Sequence, residues 1–120
     1  MYTDKYGRTW EGPYQFSASV ISANAPKDTG LYQILSPAGQ VVYIGVATGD
    51  TIAGRLGKHV RGSGNSILAQ FGNPDYFTFV YYRCDGQTAK QIESHVIANE
   101  KPPFNLKNEY KNFIPSIYIH

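Results

Sequence analysis

The sequence has almost no cysteine and no long apolar run, and each absence excludes something. Its single cysteine, Cys84, has no partner for an internal disulfide. The N-terminus Met1-Tyr2-Thr3-Asp4-Lys5 lacks the charged-then-apolar pattern of a signal peptide, so a reducing compartment, the cytoplasm, is the expected setting. No segment approaches the roughly 18 to 20 apolar residues that a bilayer crossing needs, so a membrane is not expected among its partners. The same scarcity of cysteine argues against a structural zinc site. There are no internal repeats, low-complexity tracts or long linkers. What is present, 120 residues of which 42% are hydrophobic and 17% charged, suits one domain over positions 1–120, large enough for one core. Catalysis and binding must then share one fold.

Acidic residues are also locally absent. Between positions 51 and 62 stand Arg55, Lys58, Arg61 and His59 with no Asp or Glu. The whole-chain charge of +2 does not by itself require a polyanionic partner, and a short basic run is ordinarily a solvated helix face.

The pattern predicts an α+β chain in the order β-β-α-β-α, with short N- and C-terminal extensions. Segment 16–25 is compatible with a short helix or a strand and is broken by Pro26-Lys27-Asp28. Segments 31–35 and 41–46 are β-favouring runs around Ser36-Pro37-Ala38-Gly39, whose proline and glycine fit a type I turn. If Ser36 faces Gly39, Tyr32 lies directly opposite Tyr43. A bulge at Gly39 would slip that register by one. In the second strand Val42, Ile44 and Val46 are expected on one face and Val41, Tyr43 and Gly45 on the other, with Gly45 leaving room beside Tyr43 for water or substrate. Asp50 or Thr51 can cap a helix to about position 62, with Ile52, Leu56 and Val60 as its buried stripe and Arg55 and His59 as the ridge beside it. Gly54 and Gly57 each cost that helix about 1 kcal/mol relative to alanine, as expected if something approaches its surface. Positions 62–65 read as a mobile loop. Segment 77–84 is a further strand, and Thr88 with Gln91 forms a capping box for a second helix ending before Pro102-Pro103. Ala89, Ile92 and Val96 face its core, and Glu93 stands at the edge of that stripe, where a carboxylate needs a partner or a metal. Segment 117–119 could add an edge strand.

Gly30-Leu31-Tyr32, ten residues, then Tyr43-Ile44-Gly45 resembles the signature of the GIY-YIG nuclease family. Arg55, His59 one turn later, Glu93 on the second helix and Asn105 after Pro102-Pro103-Phe104 match in order, so the resemblance covers about positions 24–106. Leu31 for isoleucine is the one motif substitution. Val46 stands where some members carry a lysine, whose function His59 could take over. The resemblance implies a three-stranded antiparallel sheet flanked by helices, and hydrolysis of a nucleic-acid phosphodiester with one divalent metal, Mg²⁺ or Mn²⁺.

That chemistry needs a positioned, deprotonated water, charge neutralisation on the phosphate and help for the leaving alkoxide. Glu93 is a hard oxygen ligand suited to a metal that keeps several waters. Arg55 offers a permanently charged fork for a phosphate. Tyr32 and Tyr43 can hold the water, and either could act as general base. His59 could polarise a tyrosine or touch the phosphate. Asn105 is expected to orient Glu93 or its loop from behind the site, Gly45 to leave space, and Arg55, Lys58 and Arg61 to contact nucleic acid. His95 and His120 match nothing, and Glu93 and His95, two apart, point to different sides of a helix.

The leading expectation is a DNA endonuclease of weak intrinsic sequence preference, acting as a homodimer or with a targeting partner. A non-cleaving nucleic-acid-binding module of the same fold is the alternative, for which Val46 is the sequence support. A protein-interaction module using the aromatic N-terminus and apolar tail is the third.

Overall fold

The structure is a computed structural model that describes residues 1–61 and 77–105. A strand that is apolar on both faces needs cover on both, and Gly30–Leu35 (β3) is such a strand, buried at all six positions. It lies between Val41–Ala47 (β4) and Thr78–Arg83 (β5), antiparallel to each. On one face, Tyr32, Ile34, Val42, Ala47, Phe79 and Tyr81 share a core with Ile21 of α1 (Ala18–Asn24) and with Ile52 and Leu56 of α2 (Ile52–Val60). On the other face, Leu31, Leu35, Val41, Ile44 and Val80 pack with Ala89, Ile92 and Val96 of α3 (Gly86–Glu100). The described chain is therefore three layers, with α1 and α2 above the sheet and α3 below. Among the described residues no helix is long and apolar enough to cross a membrane.

Among the described residues the sheet has five strands rather than three, in the order β1-β2-β5-β3-β4. Tyr2–Thr3 (β1) pairs with Thr9–Gln15 (β2), and β2 adds to the outer edge of β5. These extra strands were obscured in the sequence because Gly12-Pro13 interrupts the alternation of β2, and the β2–β5 register shifts between Glu11 and Tyr14. The undecided segment 16–25 follows the end of β2 at Gln15 and resolves into the short helix α1. The expected loop at 62–65 and the expected strand at 117–119 lie outside the described residues.

One helix cap agrees with expectation and one differs. The Thr51 side chain accepts from Gly54 N at 2.9 Å and caps α2. At α3 the cap is Asp85, not Thr88: Asp85 Oδ1 accepts from Thr88 N at 2.8 Å, and Thr88 Oγ1 donates to Asp85 Oδ2 at 2.9 Å. Asp85 combines a charged acceptor with the helix dipole, so it displaces the weaker hydroxyl cap three residues on.

The β3–β4 hairpin contains two register slips. Gly39 adopts a left-handed conformation at φ 86° and donates to Ser36 O at 2.8 Å, while Ser36 N donates to Gln40 O at 2.8 Å. Ser36 is thus paired one residue beyond Gly39. A second bulge follows, because Leu35 pairs with Val41 but Ile34 pairs with Tyr43. Val42 is the extra residue and joins the same core as Tyr32, whereas Val41, Ile44 and Val46 associate with the α3 side. The expected grouping of Val42 with Ile44 is therefore corrected, as bulged residues depart from strict alternation.

The N-terminal hairpin is tied by one carboxylate. Asp4 Oδ1 accepts from Tyr6 N and Arg8 N, each at 2.9 Å, and Oδ2 accepts from the fully buried Trp10 Nε1 at 3.0 Å. Burial alone would raise the Asp4 pKa, but the Trp10 and backbone hydrogen bonds outweigh it and hold the value below the ordinary one. Asp4→Asn puts an amide donor against the indole N–H or gives up a backbone acceptor. It should cost about 1–3 kcal/mol in urea unfolding at pH 7. Because the folded pKa is depressed, Asp4's contribution is complete above the unfolded value and vanishes as pH falls through the folded one, so the difference between wild type and variant should shrink in acid.

Candidate active site

The paired tyrosines owe their position to both slips. One slip would have sent Tyr32 and Tyr43 to opposite faces. Two slips return them to one face but make Gly45, not Tyr43, the direct partner of Tyr32. The tyrosine rings lie diagonally, 6.2 Å between centroids. A Cβ at Gly45 would fall inside the Tyr32 ring, so the space that the glycine leaves is filled by Tyr32 itself rather than by a substrate or water beside Tyr43.

His59 projects from α2 toward these rings. Its Nε2 is 2.7 Å from the Tyr32 hydroxyl, and both residues are buried, at 6% and 0% exposure. The Tyr43 ring meets His59 edge-on at 5.1 Å and 70° and is half-buried. Burial, then the charge of Arg55, depresses the His59 pKa to about 4, so the imidazole is neutral at pH 7. Burial first, and Tyr43 second, push the Tyr32 hydroxyl well above the ordinary phenol value, with Arg55 opposing. With the imidazole proton on Nδ1, the neutral hydroxyl donates to Nε2.

Arg55 and Glu93 approach from opposite layers. Arg55 is on α2 and half-buried; Glu93 is on α3 and half-buried. Since β4 is the outermost strand on this side, their charges meet at its edge. Burial raises the Glu93 pKa, and Arg55 and then Lys90 counter that rise. Among the described residues no three His, Cys, Asp or Glu side chains are grouped as for a metal ion.

The remaining expected site residues are placed differently. The Asn105 side chain accepts from Ile44 N at 2.8 Å and donates to Ile44 O at 2.9 Å, so of its two expected roles it takes the second, fastening the loop after α3 to β4. Lys58 is exposed and paired with Asp50 at 3.0 Å. Asp50 went unread as its partner because the two are eight positions apart, with the helix cap between them. Arg61 turns to the α1 side of α2, away from Arg55. His95 lies against the Tyr6 ring, 4.6 Å between centroids.

A buried neutral histidine loses stability in acid. The unfolded chain takes up a proton below about pH 6.5, while the folded site resists until about 4. Stability should therefore fall across that window, by roughly 2 kcal/mol between pH 6.5 and 5, and this component should level off below 4. His59→Gln should lack it when urea melts are compared at each pH, and equal acid dependence in the two proteins would rule out a buried neutral His59.

Comparison with known families places this geometry. A family model described as the GIY-YIG catalytic domain matches residues 28–110, which run from the loop before β3 past Asn105. No curated protein and no solved structure matches the chain. With the family match spanning more than half of its length, from the first tyrosine triplet past the last motif residue, the chain belongs to the GIY-YIG nuclease family.

Proposed function

We propose that this protein is a divalent-metal-dependent endonuclease that hydrolyses DNA phosphodiester bonds with little intrinsic sequence preference. The observation that carries the reading is the convergence of Tyr32, Tyr43 and His59 on one sheet face, with Arg55 and Glu93 brought into electrostatic contact at the β4 edge. GIY-YIG membership supplies the reaction class.

The donor set fits a hard cation. Glu93 offers carboxylate oxygen in surroundings that disfavour its charge, and Mg²⁺ or Mn²⁺ commonly takes one or two protein carboxylates while keeping waters and substrate oxygens. When bound, such an ion supplies Lewis-acid stabilisation of the phosphate and leaving oxygen. The chain's own residues do the rest. Arg55 holds a non-bridging phosphate oxygen through its planar fork. Tyr43, the less buried tyrosine, positions the attacking water. As the water loses its proton to the Tyr43 oxygen, Tyr43 passes its own to Tyr32 and Tyr32 passes its own to His59 Nε2. A protonated His59 is disfavoured by about 4 kcal/mol at pH 7, taking its pKa near 4. It is therefore a transient acceptor, and after bond cleavage the proton returns through Tyr32 and Tyr43 to the departing alkoxide. The relay ends at a buried imidazole, away from direct exchange with solvent.

The test is cleavage of plasmid and single-stranded DNA by purified protein with Mg²⁺ or Mn²⁺. Glu93→Gln should lower cleavage by at least about 100-fold, and Tyr32→Phe and His59→Ala should reduce kcat more than they raise KM. Equal cleavage by wild type and Glu93→Gln would refute the assignment. The rate should also decline in acid as Glu93 protonates through its raised pKa. Salt-sensitive DNA binding without cleavage in either metal would favour the non-cleaving module, for which Val46 remains the one sequence feature.

A further inference from the structure

Helices α1 and α2 pack side by side and leave a groove of about 340 Å³ between them. It lies over the sheet layer that also carries the tyrosines, but on the opposite flank of α2 from Arg55. Six residues separate Arg55 from Arg61, which on a helix is about 120° around the axis and about 9 Å along it. The groove floor is apolar, with Ile21 and Val60, and its rims carry Lys27 and Arg61.

Three features give this groove a chemical preference. First, among the described residues no Asp or Glu lines it, although Lys27 and Arg61 both do. Second, among the described residues neither cation is in an ion pair, whereas Lys58, Arg8 and Arg83 each are. Third, Arg61 folds back along the helix: its guanidinium sits 3.0 Å from where a Cβ of Gly57 would stand. The absent side chain at Gly57 lets a planar, permanently charged group lie back across α2 at the groove while it stays exposed. The glycine at position 54 has a different reason, since a Cβ there would press on the Asp50 carboxylate at 2.5 Å.

We infer that the α1–α2 groove is a second nucleic-acid contact, holding a phosphate-backbone segment of the DNA substrate between Lys27 and Arg61 while the scissile phosphate lies at Arg55. The inference rests on the nuclease reading and deepens it. A strand that crosses α2 meets Arg55 on one flank and Arg61 on the other. Such contacts fix register and orientation without reading bases, which suits a site of weak sequence preference.

The experiment uses the full chain and a fluorescein-labelled 20-base-pair duplex in EDTA, with affinity read by anisotropy across a salt series. Arg61→Gln and Lys27→Gln should each weaken binding about three- to tenfold and lower the log–log salt slope by about one. Ser22→Glu, which places an acid in the same groove, should act in the same direction. Lys5→Gln, an exposed cation on the N-terminal hairpin, should leave both unchanged. In Mg²⁺ cleavage assays the groove variants should raise KM and spare kcat. Wild-type affinity and slope in all three groove variants would overturn the groove, as would an equal loss in Lys5→Gln, and cleavage by wild type in that case would leave the nuclease reading standing. A wild-type protein that neither binds nor cleaves the duplex would overturn both.

Discussion

The hydrogen bond between the Tyr32 hydroxyl and His59 Nε2 joins the sheet to the helix that carries Arg55. Its geometry is set from three sides. Tyr32 belongs to the central strand, its ring occupies the space above Gly45 on β4, and its hydroxyl ends at α2. Both partners are buried, where a hydrogen bond is electrostatically stronger than in water. A hydrogen bond in that position does more than add stability. It fixes the rotation of α2 about its own axis, and thereby where the Arg55 guanidinium can reach.

The two halves of the candidate site are electrostatic opposites. On the tyrosine side, burial holds the His59 imidazole neutral and raises the Tyr32 hydroxyl above the ordinary phenol value. Toward β4, burial raises the Glu93 pKa while the Arg55 charge opposes that rise. Environment, more than residue type, thus separates a neutral buried pair from a half-buried carboxylate beside a cation.

Much of this was legible in the chain. The β3–β4 hairpin, α2 with its Thr51 cap and the strand β5 follow from apolar periodicity and turn chemistry. So does the position of Glu93 at the margin of a buried stripe. The hairpin register was open to reading but not decidable, because bulges are governed by local twist and packing; a slip at Gly39 can be suspected from a glycine, while one at Val42 leaves no compositional trace. The choice between the two roles expected of Asn105 was similarly undecidable, since a side-chain amide that fastens a loop looks the same in a sequence as one that serves a carboxylate. Arg55, Lys58 and Arg61 looked like one basic face because they are close in sequence. Helical rotation and the Asp50 carboxylate separate them into a site residue, an ion-paired residue and a groove residue.

The Asn105 clamp also bears on how copies of this protein coexist. An outermost strand with unpaired N–H and C=O groups is a template for another chain's strand. Here Phe104 N donates to Val42 O at 2.9 Å and the Asn105 amide occupies both backbone groups of Ile44. Among the described residues, these two occupy backbone groups of the edge that flanks the candidate site. A strand from another copy would have to displace both of them before it could pair there.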